Sequence, residues 1–172
     1  MGGFVAIVNT DGTPFDRELL ESLTDTLRFR GPDRQQIWID GNVGLGQALF
    51  KTTDEAEFEA QPASLEGDIW ITGSARIDAR QELLNKLGLQ SEIRLEKTPD
   101  STLILHADRA WGERCVEHLL LDADPRVLCF ICSARRDRKI SFCDSFLYSG
   151  SSVQTDAGDT ALCAAPAGLL AP

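Results

Sequence analysis

Gly3-Phe4-Val5-Ala6-Ile7-Val8 opens the chain with a short run of β-branched and aromatic residues, which Asn9-Thr10-Asp11-Gly12 closes with a turn-forming sequence. A run of this kind between turn residues is typical of a buried strand. The chain therefore begins inside its own core. After Pro14, leucines recur at helical spacing among acidic residues and threonines, which predicts an amphipathic helix over residues 16–28 that ends at Gly31-Pro32.

A β-hairpin is predicted next. Strand-like runs at residues 36–39 and 43–49 flank Asp40-Gly41-Asn42, which has the composition of a tight hairpin turn. Residues 69–72 are a further strand candidate. Residues 51–64 carry four acidic side chains and few apolar ones, so we interpret them as an exposed acidic loop rather than a site.

Two later helices are expected to begin at aspartate N-caps. Asp78 precedes a leucine-bearing stretch that Gly88 closes, and Asp100 precedes a second stretch that ends at Gly112. Gly73 is thereby placed at a strand-to-helix transition. Strand candidates at residues 127–132 and 139–142 follow these helices, and this order of elements predicts an α+β fold.

The composition narrows the class of protein. A chain of 172 residues is long enough for one domain with a sizeable core. The formal charge of -10 disfavours nucleic-acid binding. No apolar run approaches the roughly 20 residues of a membrane span, and no signal peptide is evident, so we expect no membrane association and a cytoplasmic protein.

Several short stretches occur in an order known from one family. They are Gly3-Phe4-Val5-Ala6-Ile7, Arg30-Gly31-Pro32-Asp33, Gly44-Leu45-Gly46, Gln61-Pro62, Arg76-Ile77-Asp78, and the stretch from Asp100-Ser101-Thr102 to Trp111-Gly112. Over residues 1–120 the chain resembles the N-terminal class II (type 2) glutamine amidotransferase domain of the asparagine synthetases. We expect a divergent continuation of that domain at residues 121–148 and a low-order tail at residues 149–172, which is rich in small residues.

The resemblance implies an N-terminal nucleophile hydrolase-like fold, a four-layer sandwich of two antiparallel sheets between helices, which we expect to be incomplete at the C-terminus. It also implies that glutamine would lie beside the chain's first residue. Asp100 matches the carboxylate that receives the α-amino group of the substrate. Gly73 matches the glycine whose backbone amide stabilises the oxyanion. We expect Gly2, Gly73 and Asp100 to converge on one cleft.

Four positions depart from the family pattern. Gly2 stands where the family has its nucleophilic cysteine, and a glycine can form no thioester. Ala48 stands where the resemblance implies an arginine that grips the substrate α-carboxylate, and Thr72 and Ser74 stand where Asn and Glu flank the retained glycine. These losses predict a degenerate glutaminase site. Helix capping explains Asp100 equally well without a substrate.

The functional interpretation keeps three hypotheses. The first is a glutaminase-like domain that has lost catalysis, with glutamine or another small amino acid as a weak ligand and neither a cofactor nor a metal ion. The second is the N-terminal part of an asparagine-synthetase-like or β-lactam-synthetase-like amide ligase, whose synthetase domain is missing or separately encoded. The third is a truncated, frameshifted gene remnant. The presence or absence of a synthetase-coding sequence beside the gene separates the first two.

Overall fold

The computed structural model describes residues 2–9, 11–52, 54–119, 126–133, 140–144 and 161–164. In chain order its strands and α-helices are β1 (Gly3–Val8), α1 (Arg17–Thr26), β2 (Arg34–Asp40), β3 (Val43–Leu49), β4 (Ala63–Ser64), β5 (Ile69–Arg76), α2 (Arg80–Leu87), α3 (Asp100–Trp111), α4 (Cys115–Leu119), β6 (Arg126–Ser133), β7 (Ile140–Asp144) and β8 (Ala161–Ala164). Short 3-10 turns occupy Asp54–Glu57, Leu95–Lys97 and Gly112–Arg114.

The strands form two sheets of four. Sheet A has the order β2-β3-β1-β8 and sheet B the order β4-β5-β6-β7. Every pairing within them is antiparallel. In sheet A, β1 pairs along its whole length with β3, from Gly3 opposite Ala48 to Val8 opposite Val43. The chain start is therefore held beside the end of β3.

Three apolar clusters assign the layers. Phe4, Ala6 and Val8 of β1 pack with Val43 and Leu45 of β3 between the two sheets. The alternate residues Val5 and Ile7 face the other way and pack with Leu20 of α1 on the outside of sheet A. Helices α2, α3 and α4 share a third cluster with Ile71 and Ile131 of sheet B. The molecule is thus a four-layer sandwich, as the resemblance implied.

Most elements lie where the sequence places them. The first strand, the first helix and the hairpin are confirmed to within two residues at their ends, and the strand candidates beyond residue 120 correspond to β6 and β7. The predicted low-order tail contains one described strand, β8, which pairs with β1. The other tail residues lie outside the described part of the chain. Among the residues described, no helix is both long and apolar enough to traverse a bilayer.

Both aspartate caps were wrong. The residue before α2 is Ala79, and the Asp78 carboxylate instead pairs with Arg76 at 2.7 Å. The residue before α3 is Pro99, which places Asp100 inside the first turn, and its side chain accepts a hydrogen bond from the backbone of Ile77. Each carboxylate interacts with a donor outside the helix, Arg76 for Asp78 and the backbone N of Ile77 for Asp100. The residue type alone does not reveal these partners, so the two caps were predicted wrongly.

Two further expectations are corrected. Strand β5 continues to Arg76, so Gly73 lies in mid-strand rather than at a strand-to-helix transition. Residues 51–64 are not simply an exposed acidic loop. They include a 3-10 turn and strand β4, and Gln61 among them is only 7% exposed.

Candidate functional site

A cleft of about 760 Å³ opens where the chain start meets the second half of β5. Gly2, Gly73 and Asp100 all line it, which confirms that the three positions converge. Ser74 lines it as well. Its remaining walls come from the end of β3, from residues 50–61, from residues 75–80 and from Pro99. Ala48 and Thr72 are fully buried behind these walls.

The chain start is packed too closely for a side chain. A Cβ atom built on Gly2 would lie 2.0 Å from the carbonyl oxygen of Ala48 and 3.1 Å from the Cα of Leu49. A Cβ on Gly31 would meet the same Ala48 oxygen at 2.1 Å. Both obstacles are backbone, which cannot turn aside as a flexible side chain can. In this conformation the first position after Met1 accepts only glycine.

The amide of Gly73 already has a partner inside the molecule. It donates a 2.7 Å hydrogen bond to Oε1 of Gln61. The Nε2 group of Gln61 donates in turn to Oε1 of Glu59 at 2.9 Å, and the same carboxylate oxygen accepts from Oγ of Ser101 at 2.5 Å. This chain of contacts joins β5, the loop before β4 and the start of α3.

Thr72 belongs to a polar layer between the sheets. Its Oγ1 lies 3.0 Å from Oε1 of Gln47 and 3.3 Å from the carbonyl oxygen of Gly46, both on β3. Nε2 of Gln47 donates back to the carbonyl oxygen of Gly73 at 3.3 Å. Thr72 and Gln47 are 0% and 2% exposed. The Thr72 hydroxyl therefore forms a buried polar contact between sheet B and sheet A.

Ala48 points away from the cleft. Side chains alternate along a strand, and a Cβ on Gly46 would meet Thr24 of α1, which places the even-numbered positions of β3 toward that helix. Gln47 and Leu49, the odd-numbered neighbours, line the cleft. An arginine at position 48 would enter the helix-covered layer. The position at this strand end that faces the cleft carries the apolar side chain of Leu49.

The Asp100 carboxylate is held from two sides. Oδ2 accepts from the backbone N of Ile77 at 3.1 Å, and Oδ1 lies 3.2 Å from Nε of Arg80. Arg80 also donates through Nη2 to the carbonyl oxygens of Leu95, at 2.9 Å, and Thr98. The side chains of Asp100 and Arg80 are 20% and 19% exposed. The pair fastens α2, the loop before α3 and the edge of β5 around the cleft.

Glu59 and Gln61 are two cleft residues that the sequence analysis did not assign to the site. Both lie in the stretch interpreted as a solvated loop, and both line the cleft. The one available signal was Gln61-Pro62, a dipeptide already counted in the family pattern. No local pattern indicates which strand a loop side chain will contact, because that contact is made across the fold. Among the described residues no His, Cys, Asp and Glu side chains gather in a group that could hold a metal ion.

The fold and the cleft together define a class. Two antiparallel sheets packed between helices, with the chain start at the cleft, form an N-terminal nucleophile hydrolase-like sandwich. The model of the family described as "Glutamine amidotransferase domain" matches residues 1–120, and the chain belongs to this family.

One curated relative gives the comparison more detail. The chain is 30% identical over 110 residues to "Asparagine synthetase [glutamine-hydrolyzing] 3" of Bacillus subtilis (strain 168). The match covers 60% of this chain and 17% of that protein. The chain is therefore a glutamine amidotransferase domain related to asparagine synthetase, and it corresponds to a small part of the relative's length.

Proposed function

We propose that this chain is a glutamine amidotransferase domain that no longer hydrolyses glutamine and that serves as a binding or structural module. The observation that carries the proposal is the close approach of the Ala48 backbone to Gly2. A class II enzyme needs a side-chain nucleophile on its first residue, and glycine has none. A Cβ atom at this position would lie 2.0 Å from the Ala48 carbonyl oxygen, so the packing leaves no space for a side-chain nucleophile.

The oxyanion position supports the same proposal. An oxyanion hole needs hydrogen-bond donors that are preorganised and available at the reacting atom. The Gly73 amide is engaged by Gln61, and the Thr72 hydroxyl is engaged between the sheets. Each group has one donor hydrogen, and that hydrogen is already bonded inside the molecule.

Substrate binding is changed as well as catalysis. Recognition of an α-carboxylate is strongest from a guanidinium, which can form two parallel hydrogen bonds. The cleft-facing position at the end of β3 is Leu49. Of the two arginines that line the cleft, Arg80 is engaged by Asp100 and two carbonyl oxygens, and Arg76 pairs with Asp78. We therefore propose that glutamine or a similar amino acid binds weakly.

The test is release of ammonia and glutamate from glutamine by the full chain. We expect none above the uncatalysed rate from the wild type, from Gly2→Cys, or from Gly2→Cys combined with Leu49→Arg and Thr72→Asn. The Bacillus subtilis relative is the positive control. Turnover by the wild type would overturn the proposal. Efficient turnover by Gly2→Cys alone would show that the backbone at Ala48 moves readily.

A second candidate is favoured by the length comparison. The match covers only 17% of the relative, which favours a chain that acts as one part of an asparagine-synthetase-like amide ligase whose synthetase domain is separately encoded. Sequencing the neighbouring DNA tests this. A synthetase-coding frame next to the gene supports the ligase, whereas family strands recovered in another frame of the same gene support a frameshifted remnant.

A cytoplasmic location is part of the proposal. Five cysteines, an odd number, do not make a complete disulfide framework and fit a reducing compartment. Cell fractionation with a tagged full chain tests the assignment, and recovery in a membrane or secreted fraction would contradict it.

A further inference from the structure

Gln61 places a primary carboxamide at the inner wall of the cleft. Its oxygen accepts from the Gly73 amide at 2.7 Å, and its nitrogen donates to the Glu59 carboxylate at 2.9 Å. A backbone donor and a carboxylate acceptor thus hydrogen-bond the oxygen and the nitrogen of one carboxamide. A carboxamide offers one acceptor and one NH2 donor group, and this pair of partners matches both.

The hydrogen bonds of the Gln61 carboxamide are buried, and neighbouring residues hold their partners in place. Gln61 is 7% exposed, and Ser101 at the start of α3 donates to the Glu59 oxygen that receives the Gln61 nitrogen. The carbonyl of Gly73 accepts from Gln47, so this segment of β5 is held on both its donor and its acceptor side. Glu59, Gln61 and Gly73 all line the cleft.

We infer that Gln61 is an internal occupant of a carboxamide-binding position formed by Gly73 and Glu59, and that it competes with any external primary carboxamide. The inference rests on the proposed function, because it concerns what the non-hydrolysing cleft binds. The competition is intramolecular, so the external ligand binds only to the fraction of molecules in which Gln61 has left. Its apparent dissociation constant is the intrinsic one divided by that fraction.

The decisive variant is Gln61→Met, which keeps the side-chain length and removes both polar ends. Binding of L-glutamine is followed by amide chemical shifts in the full chain, with L-methionine as a ligand of similar length that lacks a carboxamide. We expect the dissociation constant for glutamine to fall about tenfold. We expect no change for methionine. Gln81→Met is the matched control, because Gln81 is an exposed glutamine of α2 whose amide donates to Asn85 within its own helix.

A second variant covers the case in which Gln61→Met does not fold. Gln61→Asn keeps a carboxamide but withdraws it from Gly73 by one methylene, so it should also improve glutamine binding. Equal or weaker glutamine binding by folded variants overturns the inference. An equal gain for glutamine and methionine also overturns it, because that result indicates widening alone. The assay of ammonia release is separate, so turnover by the wild type would defeat the proposed function without deciding the occupancy of Gly73.

Discussion

At the scale of single residues, the packing around Gly2 leaves no room for a Cβ atom. Any side chain there would drive its Cβ to 2.0 Å from the Ala48 carbonyl oxygen. Gly2→Ala should therefore destabilise the fold by about 1–3 kcal/mol through overpacking. Urea unfolding of the full chain measures the change in the free energy of unfolding.

The adjacent glycine provides the matched control for Gly2. A Cβ on Gly3 would lie 3.2 Å from the Cβ of Leu27 and 3.4 Å from the aliphatic part of Arg30, so side chains rather than backbone must yield. Gly3→Ala also narrows the unfolded ensemble, which offsets part of that cost. A loss for Gly2→Ala no greater than for Gly3→Ala would show that the chain start is loosely held.

The same residues show how far sequence alone could go at the site. The absent thiol at position 2 was visible directly, and the family pattern was enough to bring Gly2, Gly73 and Asp100 to one cleft. The partners of Gly73 and Asp100 were not visible. Gln61 and Arg80 reach them across the fold, and which donor wins a carboxylate or an amide depends on distances that only the packed structure supplies.

At the scale of elements, a buried threonine links β5 to β3. Thr72→Val keeps the volume but removes the donor that lies 3.0 Å from Oε1 of Gln47. An acceptor left without its donor in a buried layer costs about 1–3 kcal/mol. The free energy of unfolding should fall by that amount in urea titrations.

Thr24→Val is the control for this layer. Thr24 is also buried, at 2% exposed, but its hydroxyl bonds back to the Leu20 carbonyl within α1. Bonds of that kind add little to the stability of a helix. If both valine variants lost equal stability, the cost would come from burying an extra methyl group and not from the inter-sheet contact.

The free energy of unfolding should depend on pH through His106 of helix α3. Burial, followed by the nearby charge of Arg109, lowers the pKa of His106 below its ordinary value of 6.5, while Glu92 opposes the change. The unfolded chain then binds more protons near that pH, so this contribution is present above about pH 6.5 and is lost as the pH falls through the folded-state pKa. His106→Gln should flatten this part of the stability curve. His118→Gln, at the other histidine, is the control, and an unchanged curve for His106→Gln would contradict the assignment.

The elements themselves were largely predictable because their signals are local. The tight-turn sequence before β3 and the leucine spacing in α1 depend on neighbours in sequence, and both elements formed as expected. The starts of α2 and α3 were misassigned because an aspartate near a helix start was taken to cap it. The extension of β5 past Gly73 was missed because pairing with β6, a partner far along the chain, decides where that strand ends.

At the scale of the whole molecule, one aromatic contact reports whether the sandwich is closed. Trp38 of sheet A stacks on Trp70 of sheet B, with ring centroids 4.5 Å apart and planes inclined by 23°. Stacked indoles couple their electronic transitions, so the native chain should show an exciton couplet in its circular dichroism. Since the rings belong to different sheets, the couplet should disappear in the same urea transition that unfolds the backbone.

Single tryptophan variants decide the origin of that signal. Trp38→Leu and Trp70→Leu should each abolish the couplet and lower stability by about 0.5–1.5 kcal/mol beyond the loss of buried area, because a favourable ring pair is removed. Trp111→Leu should leave the couplet intact, since Trp111 contacts His118 among the helices rather than another tryptophan. The chain has three tryptophans, so these variants test each one. A couplet that survived in Trp38→Leu would mean that the two sheets do not meet through this pair, and the inter-sheet layer that carries Thr72 and Gln47 would need a different register.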